Sequence, residues 1–281
     1  MSLASRLKLR LKLLEPKHFG APRTFLNQAH PLQPLFRHHP PSICTLSPGL
    51  LILDFSLNDF TGDIPQGFGA YSSLQVLSLG FNNLTRGIPT DITVARSLQH
   101  LCLPGNSLSD GIPENITDLT SLRTLVLFGN MLSGSIPRTI GRLSLLEKLE
   151  LHINHFNETL PLSWTNCKRI QLLNLRVNFL GGNLSNFDFS NFSQLTILDL
   201  GENCFSGVLP TTLFSCKSLT TIRFATNKLE GEIPLTSSNC HPSPSSPFQT
   251  IPSRTSVQHS VFCVFVLKCY DLGFLLTIQG L

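Results

Sequence analysis

Asparagine recurs at positions 58, 82, 106, 130, 154, 178, 203 and 227, evenly spaced except that the interval from 178 to 203 is one residue longer. Each sits in the frame L-x-x-L-x-L-x-x-N-x-L. In the second copy this is Leu74, Leu77, Leu79, Asn82 and Leu84. In the fourth it is Leu122, Leu125, Leu127, Asn130 and Leu132, and in the seventh Leu195, Leu198, Leu200, Asn203 and Phe205. A fixed period of this length means stacked coils, each contacting only its neighbours, instead of a domain folded round one central core.

The spacing also specifies each coil. L-x-L alternation predicts a short strand with one buried face. The asparagine then turns the chain, and its amide can bond backbone groups of the adjacent coil, so that a ladder of amides pairs polar groups otherwise buried alone. A turn such as Gly62-Asp-Ile-Pro65, Gly134-Ser-Ile-Pro137 or Gly231-Glu-Ile-Pro234 follows. Proline sets φ and lacks a donor, which suits a chain leaving one pairing to begin its return. That return supplies another apolar residue, Ile116, Ile140 or Leu213. The expected architecture is an α/β-type solenoid with a parallel sheet on its concave face, short 3-10 or irregular return legs, and about eight 24-residue repeats.

The flanks are different in kind. Residues 1–49 carry a net charge of +6, residues 50–240 carry −3 and residues 241–281 carry +1, so the overall +4 belongs to the ends and not to the coils. A mildly acidic middle excludes a nucleic-acid groove, which needs clustered positive charge on the folded surface. Three segments follow: 1–49, read as disordered or mispredicted; 50–235, the solenoid; and 236–281, Ser/Pro-rich and then apolar. In the N-terminal run Leu7-Lys-Leu-Arg-Leu-Lys-Leu-Leu14 the charges interrupt the leucines, unlike a signal peptide. The apolar run from Val261 to Leu281 is broken by Lys268 and Asp271 and is not read as a membrane span. The eight cysteines, at 44, 102, 167, 204, 216, 240, 263 and 269, form no C-x-x-C pair, so no zinc site is expected. His30, His38 and His39 lie among prolines and read as a disordered stretch instead of a metal site.

With L-x-G-x-I-P after the asparagine, the coil resembles the plant extracellular class of leucine-rich repeats. Residues 74–234 are similar to the ectodomains of plant peptide-hormone receptor kinases, in particular the tyrosine-sulfated glycopeptide receptor group and its kinase-less receptor-like relatives. The phrases carrying this are Leu74-Gln-Val-Leu-Ser-Leu-Gly-Phe-Asn-Asn-Leu84, Leu173-Asn-Leu-Arg-Val-Asn178 with Leu180-Gly-Gly182, and Ile197-Leu-Asp-Leu-Gly-Glu-Asn203. The resemblance implies a glycoprotein on the extracellular side of the plasma membrane that binds a peptide ligand or a co-receptor and signals through partners. Membrane attachment would come only through parent-protein segments not found in this chain. Such receptors have a signal peptide, a cysteine-bearing N-terminal cap, a membrane span and usually a kinase. None is recognisable, and no Gly-rich loop, H-R-D or D-F-G element occurs. The chain therefore reads as a truncated or mispredicted receptor product. Alternatives are a secreted polygalacturonase-inhibitor-like binding protein, built from the same coil, and a non-functional receptor fragment. Arg86, Asp110 and Glu158 stand where the glycine of the turn is expected.

Candidate sites follow from the frame. The residues between the leucines face out of the sheet, one column reading Asp54, Ser78, Cys102, Val126, Glu150, Asn174, Asp199, Arg223. The next reads Ser56, Gly80, Pro104, Phe128, His152, Arg176, Gly201, Ala225. Coils five to eight thus gather Lys148, Glu150, His152, Asn174, Arg176 and Arg223, with Phe128 at the margin, a mixed patch suited to an extended peptide whose carboxylate or sulfate could meet the cations. The same residues also make an ordinary solvated face with casual ion pairs. N-x-S/T sequons at Asn83, Asn115, Asn157, Asn183 and Asn191 fit an extracellular chain. Cys167 and Cys216 occupy one return-leg position two coils apart, too far to bridge. Glu150 with His152 could be imagined as an acid–base pair, but an open sheet supplies neither desolvation nor a nucleophile. No catalytic residue, cofactor or metal ligand is assigned.

Overall fold

A computed structural model describes residues 49–231 and the backbone of 264–270 and 273–278. The readings made on residues 1–48, on the Ser/Pro-rich stretch, and on His30, His38 and His39 lie outside the described residues. Every L-x-L segment forms a three-residue strand, from Ile52–Asp54 through Val76–Ser78 to Thr221–Arg223, all eight parallel and in chain order. Registration is residue for residue, Leu53 beside Leu77 and Leu77 beside Leu101, so each leucine packs on its counterpart one coil on. Leu77, Leu101, Leu125, Leu149 and Leu198 are wholly inaccessible to water. Val264–Tyr270 adds antiparallel to Thr221–Arg223, and Gly273–Ile278 follows it.

The asparagines form the expected file. The Asn130 amide nitrogen donates to the Leu103 and Leu127 carbonyls at 3.0 and 2.9 Å, and its oxygen accepts from the Leu108 N–H at 3.0 Å. The pattern repeats at Asn82, Asn106, Asn154, Asn178, Asn203 and Asn227. Each amide so joins its own turn to the coil before it, which fills the backbone groups that the end of a short strand would leave unpaired. Asn58 donates only within its own coil, to Phe55 and Ser56.

Past the asparagine the chain forms a second set of short parallel pairings that the L-x-L pattern does not announce, such as Thr61–Asp63 on Asn83–Arg86 and Gly181–Asn183 on Cys204–Gly207. The position four residues after each asparagine has a left-handed φ in every coil. It is glycine in five coils and Arg86, Asp110 and Glu158, at φ 59°, 64° and 71°, in the other three. The three displaced residues therefore take the glycine conformation instead of avoiding it.

Proline then opens the return leg. The Pro89, Pro113, Pro161 and Pro210 carbonyls accept from the N–H of Ile92, Ile116, Trp164 and Leu213, three residues on, closing 3-10 turns that aim these side chains into the core. The extra residue of the sixth coil falls in this leg, where Phe187, Phe189 and Phe192 cluster with ring centroids 4.8 to 6.2 Å apart. The insertion is absorbed by packing away from the concave ladder, and Leu172 still pairs with Ile197. Cys167 and Cys216 are buried free thiols in the return legs, as expected, and burial pushes them up to about 12 and about 11.

Candidate functional site

The concave face holds the predicted patch, and the structure sorts its members. Two of them, Asn174 and Arg223, serve the fold. Asn174 accepts from the Arg176 backbone N–H at 3.2 Å, as Asp54 does from Ser56 and Asp199 from Gly201. An Asx side chain at this column thus pins the strand end two residues on. Asp199 is buried, and the Arg223 guanidinium lies 3.2 Å from its second oxygen. Arg223 is its counter-ion, because a carboxylate taken out of water needs a paired charge.

The remaining cations are also engaged. Lys148 Nζ lies 2.6 Å from Glu150. Arg176 grips Glu202, with Nε at 2.9 Å and Nη2 on the same oxygen. This hydrogen-bonded carboxylate raises the Arg176 pKa above its already high ordinary value. The expectation of cations waiting for a ligand's carboxylate or sulfate meets a face on which Lys148, Arg176 and Arg223 are each matched by an acid of the chain.

Phe128 and His152 come together most closely, with ring centroids 4.4 Å apart and planes within 14°. His152 Nδ1 is buried without a hydrogen-bond partner among the described residues and stands 3.9 Å from Glu150. Burial lowers the His152 pKa from 6.5, against the opposing pull of Glu150 and Asp199. The Glu150–His152 pair is a side-chain contact on an open sheet, with no serine or cysteine hydroxyl or thiol bonded to the imidazole among the described residues.

Phe81 was not foreseen. It precedes Asn82 in a left-handed conformation, φ 56°, lies across Gly105 and meets Phe128 two coils on, with centroids 6.2 Å apart and planes at 68°. The signal was available in hindsight: a ring just before one ladder asparagine, followed at that position by Gly105 and then Gly129.

Of the sequons, Asn83, Asn157, Asn183 and Asn191 are exposed. Asn115 is half-buried and donates its amide to Thr93 Oγ1 at 2.9 Å. None of the five lies in a concave strand. Among the described residues no three His, Cys, Asp or Glu side chains converge on a metal-sized site, and no helix is long and apolar enough to cross a membrane.

Parallel strands repeated once per coil, 3-10 return legs and an asparagine ladder define a leucine-rich repeat fold. The Leucine Rich Repeat family profile matches residues 73–94, 97–119, 121–143 and 194–216. The chain therefore carries leucine-rich repeats in the leucine-rich repeat fold, and over its coils it is similar to plant receptors. It is 60% identical over 35 residues to Receptor-like protein 3 of Arabidopsis thaliana, a stretch that is 12% of this chain and 5% of that protein. Among solved structures it is similar to the ectodomain of the Arabidopsis thaliana membrane receptor kinase GASSHO1/SCHENGEN3, solved with CASPARIAN STRIP INTEGRITY FACTOR 2. The identity is 35% over 66% of this chain and 22% of that one, with a TM-score of 0.64. The ectodomain of the Arabidopsis receptor kinase HAESA, solved with an IDA peptide hormone ligand, is 32% identical over 68% of this chain and 31% of its own, at a TM-score of 0.62. A plant ice-binding protein is 28% identical over 70% of both chains, at 0.55. The chain thus spans less than a third of the two receptor ectodomains and a small fraction of the receptor-like protein.

Proposed function

We propose that the solenoid is a recognition module of a plant cell-surface receptor, presented outside the plasma membrane, and that it takes an extended peptide ligand or a co-receptor on its concave face. It acts through partners and not through chemistry of its own. The observation that carries this is the contiguous surface running from Phe81 through Phe128 and His152 to Arg176, built on a rigid sheet whose backbone is already satisfied. Receptor ectodomains solved with ligands are similar to it in fold and sequence. Sugars on Asn83, Asn157, Asn183 and Asn191 would sit off the concave strands and leave that face open.

The test is selection from a random peptide library displayed on phage against the full chain. Peptides are expected to be enriched and to lose their hold when Phe128 and His152 are both replaced by Ser. The reading falls if nothing is enriched, or if the enriched peptides bind the double variant as well.

A further inference from the structure

Whether the concave face grips its ligand by charge or by rings can be decided from the pairing of its side chains. We infer that the Phe81–Phe128–His152 ring platform sets the specificity of this face, and that it takes an uncharged ring, aromatic or proline, from an extended peptide. The inference rests on the peptide-binding reading above and adds what the peptide must carry.

Two features on the surface lead here. The first is charge. Lys148 is matched by Glu150, Arg176 by Glu202 and Arg223 by Asp199, so an acidic or sulfated residue would have to displace an internal partner, and Asp199 is buried. An occupant complementary to such a balanced face brings no net charge. The second is shape. Phe81 remains 48% exposed although it lies over Gly105 and touches Phe128. At the position of Phe81, the next two coils carry Gly105 and Gly129, which present no side chain. Phe81 takes the room that Gly105 leaves, so the three rings form one continuous platform, Phe81 meeting Phe128 edge-on at 68° and Phe128 stacked on His152. A further ring can lie on one of these and abut the next, in the offset or edge geometry that aromatic quadrupoles prefer.

The left-handed φ of Phe81 is common to this position in every coil, and Leu57 and Ile153 are exposed there as well. Phe81 differs from them in being an exposed ring joined to a second aromatic pair, which makes the apolar surface continuous across several coils.

The test takes the library-selected peptides and measures their Kd on the full chain and on Phe81→Ala, Phe81→Leu, Phe128→Ala and Arg176→Gln. The expected result is Tyr, Trp, Phe or Pro at one fixed position of the peptides. Affinity should fall about tenfold or more on Phe81→Ala and Phe128→Ala, less on Phe81→Leu, and by no more than about threefold on Arg176→Gln. Phe81→Leu keeps the apolar bulk, so a thermal melt near wild type separates a lost ring contact from a lost fold. Peptides rich in Asp or Glu that fail on Arg176→Gln and not on Phe81→Ala would overturn the ring platform while leaving peptide binding standing. An empty selection would overturn both. Cellohexaose bound in a Phe81-dependent way, with no peptide enriched, would assign the rings to a sugar and overturn the peptide occupant.

Discussion

A methyl group on Gly105 would lie 2.6 Å from Cδ1 of Phe81, closer than real side-chain carbons come. The glycine and the ring are therefore one structural unit spread over two coils. Gly105 has φ 61°, so alanine there meets both the ring and a left-handed backbone. Gly105→Ala is expected to destabilise the chain by about 1–3 kcal/mol in urea unfolding. Adding Phe81→Ala should recover the part due to the ring and leave the backbone strain. If the two effects simply add, the contact does not exist in solution.

Asn130 bridges two coils and is buried, whereas Asn58 bonds only within its own. Asn130→Ala leaves the Leu108 N–H unpaired away from water and the Leu103 carbonyl with only its bond from Asn106, at a cost of about 2–3 kcal/mol. Asn58→Ala should cost about 1 kcal/mol. Equal losses of thermal stability in the two variants would refute a ladder that works between coils.

Glu158 holds φ 71° on an exposed turn where five other coils use glycine. Removing its Cβ relieves about 1–2 kcal/mol of left-handed strain, offset by about 0.5–1 kcal/mol of added freedom in the unfolded chain. Glu158→Gly should therefore stabilise the chain by about 0.5–1 kcal/mol. Arg86→Gly should gain less, because it also loses an exposed ion pair with Asp63 at 3.3 Å, worth a few tenths of a kcal/mol. Chemical denaturation of both variants checks the order.

His152 is held below its ordinary pKa of 6.5, first by burial, while Glu150 and Asp199 pull it up and Arg176 and Lys148 push it down. Its neutral form is thus favoured in the fold. The stability it contributes is complete above pH 6.5 and is lost as pH falls towards the lower folded value, because the unfolded chain takes up the proton first. Unfolding followed at pH 7.5 and pH 5.5 should show a smaller acid loss for His152→Phe than for wild type. A steeper loss in the variant would mean that the imidazole is charged beside Glu150.

The sequence by itself determined the coil. The leucine spacing, the file of asparagines and the proline turns each answer a local need: one buried strand face, paired backbone groups, a fixed φ at the start of the return. These needs recur in every coil, so Leu77, Asn82 and Ile116 could be placed without coordinates. The columns of the concave face were legible for the same reason, since a strand of period two sends every second residue outward. Only the tertiary structure decided what those outward residues do. Arg223 looked available until Asp199, one coil earlier, proved to be buried beneath it. Phe81 looked like an ordinary turn residue until the glycine of the next coil let it reach Phe128. Contacts between side chains of different coils depend on rotamers and on the room left by a neighbour, and neither is written in the period of the repeat.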